Sequence, residues 1–151
     1  MAKKPHVLIV ESRYYEDVAD NLLAGTVAEL TKAGCTYDKL TVPGTFEVPG
    51  AIRFAIKARR KGAPKYDGYV ALGCVIKGET DHYDHICRET SRAIMDIAQI
   101  DLQAVGFGIL TCPTYQHAKV RADVKGKNKG AEVARAVLRM IELRQDFKPS
   151  K

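Results

Sequence analysis

The sequence has no paired-cysteine motif, no long apolar run, no internal repeat and no low-complexity linker, and each absence narrows what the chain can be. Its four cysteines, Cys35, Cys74, Cys87 and Cys112, stand far apart with no C-x-x-C pair. They read as buried thiols rather than a disulfide framework or a thiolate zinc site. The longest apolar stretches, such as Gly68 to Ile76, fall well short of the roughly 20 residues that span a bilayer. That excludes a membrane protein. Lys3 and Lys4 precede only a brief apolar run before Glu11, too short for a secretory signal, so the chain reads as a mature cytosolic protein. Without repeats or linkers, residues 1–151 form one domain, long enough to bury a core without metal or disulfide staples. A composition of 46% hydrophobic and 28% charged residues excludes a disordered tail.

What is present begins with charge. Twenty-four Lys and Arg against eighteen Asp and Glu leave a formal +6. The excess favours anionic partners, and a phosphate-bearing metabolite satisfies it as well as nucleic acid does. The basic residues are spread out except between Lys119 and Lys129, and no interleaved aromatics or nucleic-acid module accompany them. Nucleic acid is therefore not the expected partner.

Apolar runs at Val7–Val10, Tyr69–Ile76 and Ala104–Leu110, with the segment Tyr37–Val42 halted by Pro43-Gly44, predict four strands, read as buried on both faces. Between them, helical spacing predicts helices after Asp17 up to Gly34, after Pro49-Gly50 up to the basic stretch Arg59–Lys65, from about Asp84 to Ile100, over Tyr115–Ala122, and after Gly130. Alternating strand and helix implies an α/β fold with a four-stranded parallel sheet, helices on both faces and right-handed crossovers. In such sheets ligands bind beyond the carboxyl ends of the strands, so chemistry is sought in the turns that follow them.

The first turn holds Arg13-Tyr14-Tyr15. A loop aromatic there can stack on a planar heterocycle, although one ring over the core and one in solvent is the commoner use of such a pair. The second turn, Pro43-Gly44-Thr45-Phe46-Glu47-Val48-Pro49, frames a hydroxyl, a ring and a carboxylate between two prolines. Glu47 either accepts hydrogen bonds from ligand hydroxyls or meets the dipole of the next helix. The third turn, Gly73 to His82, follows the clearest strand and precedes a helix, where backbone N–H groups converge on an anion. It lacks Walker A and dinucleotide spacing, so ATP and NAD gain no support. His82 there can exchange protons near neutral pH. His82, His85 and Cys87 have no partner cluster elsewhere, and no metal site is expected. Finally, Arg121 through Lys125 to Lys129-Gly130 is either a solvated basic loop or an arginine fork beside a helix start that suits phosphate.

These segments resemble the lumazine synthase family. Pro43-Gly44-Thr45-Phe46-Glu47-Val48-Pro49 is similar to its P-G-A-F-E-I-P segment. Gly73 to Asp84 is similar to its G-x-V-I-[RK]-G-x-T-x-H-[YF]-[DE] signature. Phe107-Gly108-Ile109-Leu110-Thr111, Arg121-Ala122 and Asn128-Lys129-Gly130 follow in family order, so the likeness runs from Val7 to Phe147. It implies a three-layer, flavodoxin-like α/β/α fold and a cofactor-independent transferase of riboflavin biosynthesis. The family's reaction joins 5-amino-6-(D-ribitylamino)uracil and 3,4-dihydroxy-2-butanone 4-phosphate into 6,7-dimethyl-8-ribityllumazine, releasing phosphate and water.

Carried across by position, the resemblance gives Tyr14 the pyrimidine stack, Thr45, Phe46 and Glu47 the ribityl chain and ring, and Cys74, Val75 and Ile76 the uracil edge. Glu79, Thr80, Arg121 and Lys129, with Lys125 less firmly, fall at the phosphate, and His82 on the proton-transferring histidine. Phe107 falls on a position contributed across a subunit boundary. The implied assembly is a homo-pentamer with sites between subunits, in some members closed into an icosahedral 60-mer, with a functional link to riboflavin synthase.

Three departures stand out. Tyr14 replaces the commoner Phe or Trp, Gln116-His117 replaces Glu-Gln, and Asp123 replaces a frequent Gly, two residues from Arg121, where it is expected to weaken phosphate affinity. The competing reading is a non-catalytic flavin- or lumazine-binding paralogue, against which the presence of Glu47, His82 and Arg121 argues.

Overall fold

The computed structural model describes residues 4–58 and 61–148. Lys3, Arg59 and Arg60, which entered the sequence argument, lie outside the described residues. Four strands, β1 (His6–Ser12), β2 (Thr36–Val42), β3 (Gly68–Ile76) and β4 (Val105–Cys112), form one parallel sheet in the order β2-β1-β3-β4. Five helices connect and flank them: α1 (Glu16–Lys32), α2 (Val48–Lys57), α3 (His82–Gln99), α4 (Tyr115–Ala122) and α5 (Lys129–Asp146). A single 3-10 turn, Thr45–Glu47, leads into α2.

Alternate strand residues supply two cores, as a period of two requires. Val7, Ile9, Val70, Leu72 and Leu110 pack with Leu22 of α1, Ala118 of α4 and Val137 of α5. Leu8, Val10, Ala71 and Ile109 face the other way, against Val48 and Ile52 of α2 and Ile94 and Ile97 of α3. This is the three-layer α/β/α arrangement that the sequence implies, α1, α4 and α5 on one side and α2 and α3 on the other.

One expectation fails. Strand β2 is not buried on both faces: six of its seven residues are exposed. It occupies an edge of the sheet, and no described strand lies beyond it. The third helix also begins earlier than Asp84, so His82 sits in its first turn rather than in the loop. Among the described residues no helix is long and apolar enough to cross a membrane.

The chain turns from β1 outward to β2 and then returns to β3 on the other side of β1. That reversal places a crevice beyond the carboxyl ends of β1 and β3.

Candidate active site

The crevice holds a cavity of about 410 Å³, within the range of ligand pockets. The end of β1 delivers Tyr14 and Tyr15, the segment before α2 delivers Gly44, Thr45, Phe46 and Glu47, and the end of β3 delivers Cys74, Val75 and Ile76. His82 and Ile86, one helical turn apart on α3, close the remaining wall. Tyr14 and Phe46 are 78% and 66% exposed, so both rings offer a free face.

The floor is tightly built. The hydroxyls of Ser12 and Thr45 lie 3.2 Å apart in a buried pair. A Cβ on Gly73 would come within 2.7 Å of the Ser12 Oγ, so only glycine lets β3 pass beneath them. Thr45 is therefore occupied in bracing the loop. Burial pushes the Cys74 thiol up to about 12, and at neutral pH it is an uncharged wall rather than a nucleophile.

The remaining expected residues are placed elsewhere. Glu79 and Thr80 stand exposed on the loop between β3 and α3 and do not line the cavity. The Thr80 hydroxyl accepts the His82 backbone N–H at 3.3 Å. Phe107, Arg121 and Lys129 line a separate hollow of about 220 Å³ along the β4 edge. Phe107 also borders a third hollow, about 310 Å³, beside Asp84, Cys87 and Arg88 of α3. The expected residues thus fall into two separate hollows of one chain, the Tyr14–His82 cavity and the Arg121–Lys129 hollow.

The second hollow has its own supports. The Arg121 guanidinium donates to the His117 carbonyl at 3.2 Å, and Lys129 Nζ meets both Glu132 oxygens at 2.9 and 3.1 Å. Asn128 adopts left-handed backbone geometry (φ 47°) and its side chain accepts the Ala131 N–H, a conformation asparagine tolerates better than most residues. A Cβ on Gly130 would stand 2.2 Å from the Leu22 carbonyl of α1. In Asn128-Lys129-Gly130, then, the outer residues fix the start of α5, and Lys129 alone faces the hollow. Lys125 does not line it. Asp123 turns its carboxylate to the Lys125 N–H at 2.9 Å, and among the described residues it forms no ion pair with Arg121.

Several contributors escaped the sequence argument. Ile86 repeats His82 at i+4, a spacing that exposes it once the helix is known to start at His82. Glu132 lies one turn after Lys129 by the same logic. Glu11, fully buried, had no local signal: Arg13 donates to it at 3.0 and 3.2 Å, Thr41 at 3.2 Å, and Lys39 stands 3.4 Å away. A buried carboxylate needs such partners, and removing one costs on the order of 3–5 kcal/mol. A larger hollow, about 700 Å³, lies at the opposite end of β3 and β4, near Leu102, Met140 and Phe147. Its size does not outweigh its distance from the strands' carboxyl ends.

A sequence model of 6,7-dimethyl-8-ribityllumazine synthase matches residues 4–145. The chain belongs to the 6,7-dimethyl-8-ribityllumazine synthase family. It is 49% identical to the enzyme so named from Bartonella tribocorum over 147 residues, 97% of this chain and 95% of that one. The counterpart from Agrobacterium fabrum is 49% identical over 142 residues, 94% and 96% of the two chains. The 6,7-dimethyl-8-ribityllumazine synthase 1 of Rhizobium meliloti is 50% identical over 147 residues, 96% of each. Among the described residues no three His, Cys, Asp or Glu side chains are grouped to hold a metal ion.

Proposed function

We propose that this chain condenses 5-amino-6-(D-ribitylamino)uracil with 3,4-dihydroxy-2-butanone 4-phosphate to 6,7-dimethyl-8-ribityllumazine, releasing phosphate and water, within riboflavin biosynthesis. The observation that carries the reading is the convergence of Tyr14, Phe46, Glu47 and His82 on one cavity at the reversal point of the sheet. Two rings flank a planar heterocycle, Glu47 accepts ribityl hydroxyls, and the backbone at Cys74–Ile76 meets the uracil edge.

The diamine is already nucleophilic, so the protein's task is alignment and proton transfer. Its amine adds to the ketone and water leaves, giving an imine. Phosphate is then eliminated, and the second amine closes the ring with loss of another water. His82, exposed on the first turn of α3, shuttles protons between these steps. Alignment of two bound reactants supplies up to about 7–11 kcal/mol.

Phosphate recognition belongs to Arg121 and Lys129, with the β3–α3 loop at Glu79 and Thr80 as the opposing wall. Because the first two line a different hollow from His82, the complete site joins the cavity of one subunit to the β4 edge of the next. Phe107, 45% exposed on that edge, then covers the bound ring from the neighbour. A closed homo-pentamer repeats this heterologous contact without free ends.

The decisive experiment mixes both substrates with purified protein and follows the lumazine by absorbance and fluorescence, with the spontaneous reaction as control. The expected result is a rate well above background that falls at least about tenfold in His82→Ala. A rate equal to background overturns the proposal.

A further inference from the structure

Tyr14 stands 78% exposed, and among the described residues its one ring contact is the edge of Tyr15, 4.9 Å between centroids at 74°. A ring this exposed needs something to fix its orientation before it can serve as a stacking platform. Two anchors flank it. On one side Arg13 is held by Glu11 and by Asp20. On the other, Tyr15 packs against the core cluster and lies 6.1 Å from the ring of Tyr115, a residue of α4 outside the cavity.

Tyr115 is fixed in turn. Its hydroxyl donates to the Asp17 carboxylate in the first turn of α1, while the other Asp17 oxygen accepts the Val18 N–H at 2.9 Å. Lys119 Nζ sits 5.6 Å from the Tyr115 ring centre, a cation–π contact that holds the ring's remaining face. Tyr115 and Asp17 are 98 positions apart, so this single bond ties α4 to the loop that carries Tyr14.

We propose that Tyr115 is a positioning residue: bonded to Asp17, it wedges Tyr15 and through it sets the Tyr14 ring that stacks on the pyrimidine substrate. The proposal rests on the synthase reading for the identity of that substrate. The stacking geometry itself is probed independently by riboflavin, whose fused ring is quenched when stacked on a tyrosine.

Tyr115→Phe keeps the ring and deletes the hydroxyl. It is expected to weaken riboflavin binding about three- to tenfold, the scale of one aromatic pair. It should raise KM for the ribitylaminouracil by the same factor, leaving kcat within about twofold and KM for the butanone phosphate unchanged. Asp17→Asn, which retains an acceptor oxygen, should preserve most of the affinity. Asp17→Ala should match Tyr115→Phe, and the double variant should be no worse than either, as one shared bond requires.

A folded Tyr115→Phe protein that binds riboflavin like the wild type overturns the proposal. So does an equal rise in both KM values with a falling Tm, which is the mark of a merely structural bond. If the wild type makes no lumazine yet Tyr115→Phe still loses riboflavin affinity, the synthase reading fails and the clamp stands.

Discussion

The cavity between β1 and β3 and the hollow on the β4 edge differ in what holds their side chains. The first is built on strand ends and on a loop braced by the buried Ser12–Thr45 pair over Gly73. The second hangs on helices: Arg121 on the last turn of α4, and Lys129 on the first turn of α5, where Gly130 lets α5 press on the Leu22 carbonyl of α1. Each half also lacks what the other has. Among the described residues the strand-end half is lined by the rings, the Glu47 carboxylate and the histidine but by no Lys or Arg, while the helical half is lined by Arg121 and Lys129. The sheet's topology dictates the first half, and helix–helix contact tunes the second. Loss of one should leave the other folded.

The strongest way to break this comparison is to mix two inactive proteins. His82→Ala removes the proposed proton shuttle, and Arg121→Ala removes the proposed phosphate fork. If the halves come from different subunits, co-refolded or co-expressed mixtures at equal ratio regain activity. Random neighbours give about a quarter of sites with both groups intact, so recovery to about one quarter of wild-type rate is expected. A mixture no better than its two components places both halves in one subunit and ends the interface reading.

Next in size is Gly130→Ala. A methyl group 2.2 Å from the Leu22 carbonyl forces α1 and α5 apart, and overpacking of this kind costs about 1–3 kcal/mol. The Tm should fall by several degrees, since 1 kcal/mol is worth about 2–8 °C in domains of 60–250 residues. Because Lys129 moves with α5, KM for the butanone phosphate should rise while riboflavin affinity stays near wild type. Equal losses on both sides would show that the halves are not independent.

The same contrast explains what the sequence could reveal. A buried parallel strand is a local pattern, and β3 is readable from the apolar run Tyr69–Ile76, one residue short of the observed strand. The rule that ligands sit beyond strand ends then points to the turns that hold Tyr14, Glu47 and His82, although Tyr14 and Glu47 keep an ordinary structural reading without the family resemblance. Edge position is settled by pairing, which is not local: β2 carries Thr36, Asp38, Lys39 and Thr41 among its seven residues, unlike the apolar Val7–Val10 run of β1, and it lies open because no described strand is paired on its far side. The helical half was harder for the same reason. Asn128-Lys129-Gly130 reads as a basic turn for phosphate. Only the crossing of α1 and α5 reveals that Gly130 serves packing and Asn128 serves as a cap. The buried Glu11 and the bond between Tyr115 and Asp17 join residues up to 98 positions apart, and no periodicity announces them.

A smaller effect sharpens the second half. Asp123 places a negative charge near Arg121 in sequence, but its carboxylate serves the Lys125 N–H. Asp123→Asn removes the charge and keeps an acceptor for that bond. At an exposed site a single charge is worth about 0–1 kcal/mol, so KM for the butanone phosphate should fall by no more than about fivefold. Asp123→Gly loses the bond as well and should also lower the Tm slightly. An unchanged KM in both variants removes any electrostatic role for Asp123.

The smallest expected effect separates the halves by pH. Burial pushes the Cys74 thiol in the first cavity up to about 12, and the Cys35 thiol up to about 11. Behind the second hollow, burial also raises the Cys112 thiol, but Arg121 pulls it back. In the unfolded chain a thiol ionises near 9. Above that pH the unfolded state releases protons that the folded state still holds, so stability falls with rising pH. The thiol contribution is complete below about pH 9 and is lost progressively as pH climbs toward the folded values. Removing Cys74 should therefore flatten the decline in Tm between pH 9 and 11 more than removing Cys112 does. Removing Cys74 also takes its charge from beside Tyr15 and Tyr115, whose ionisation it raises, which flattens the decline further in the same direction. Equal slopes for Cys74→Ala and Cys112→Ala would mean that the two thiols are raised by the same amount, the pull of Arg121 on Cys112 included, and that pH does not separate the two hollows.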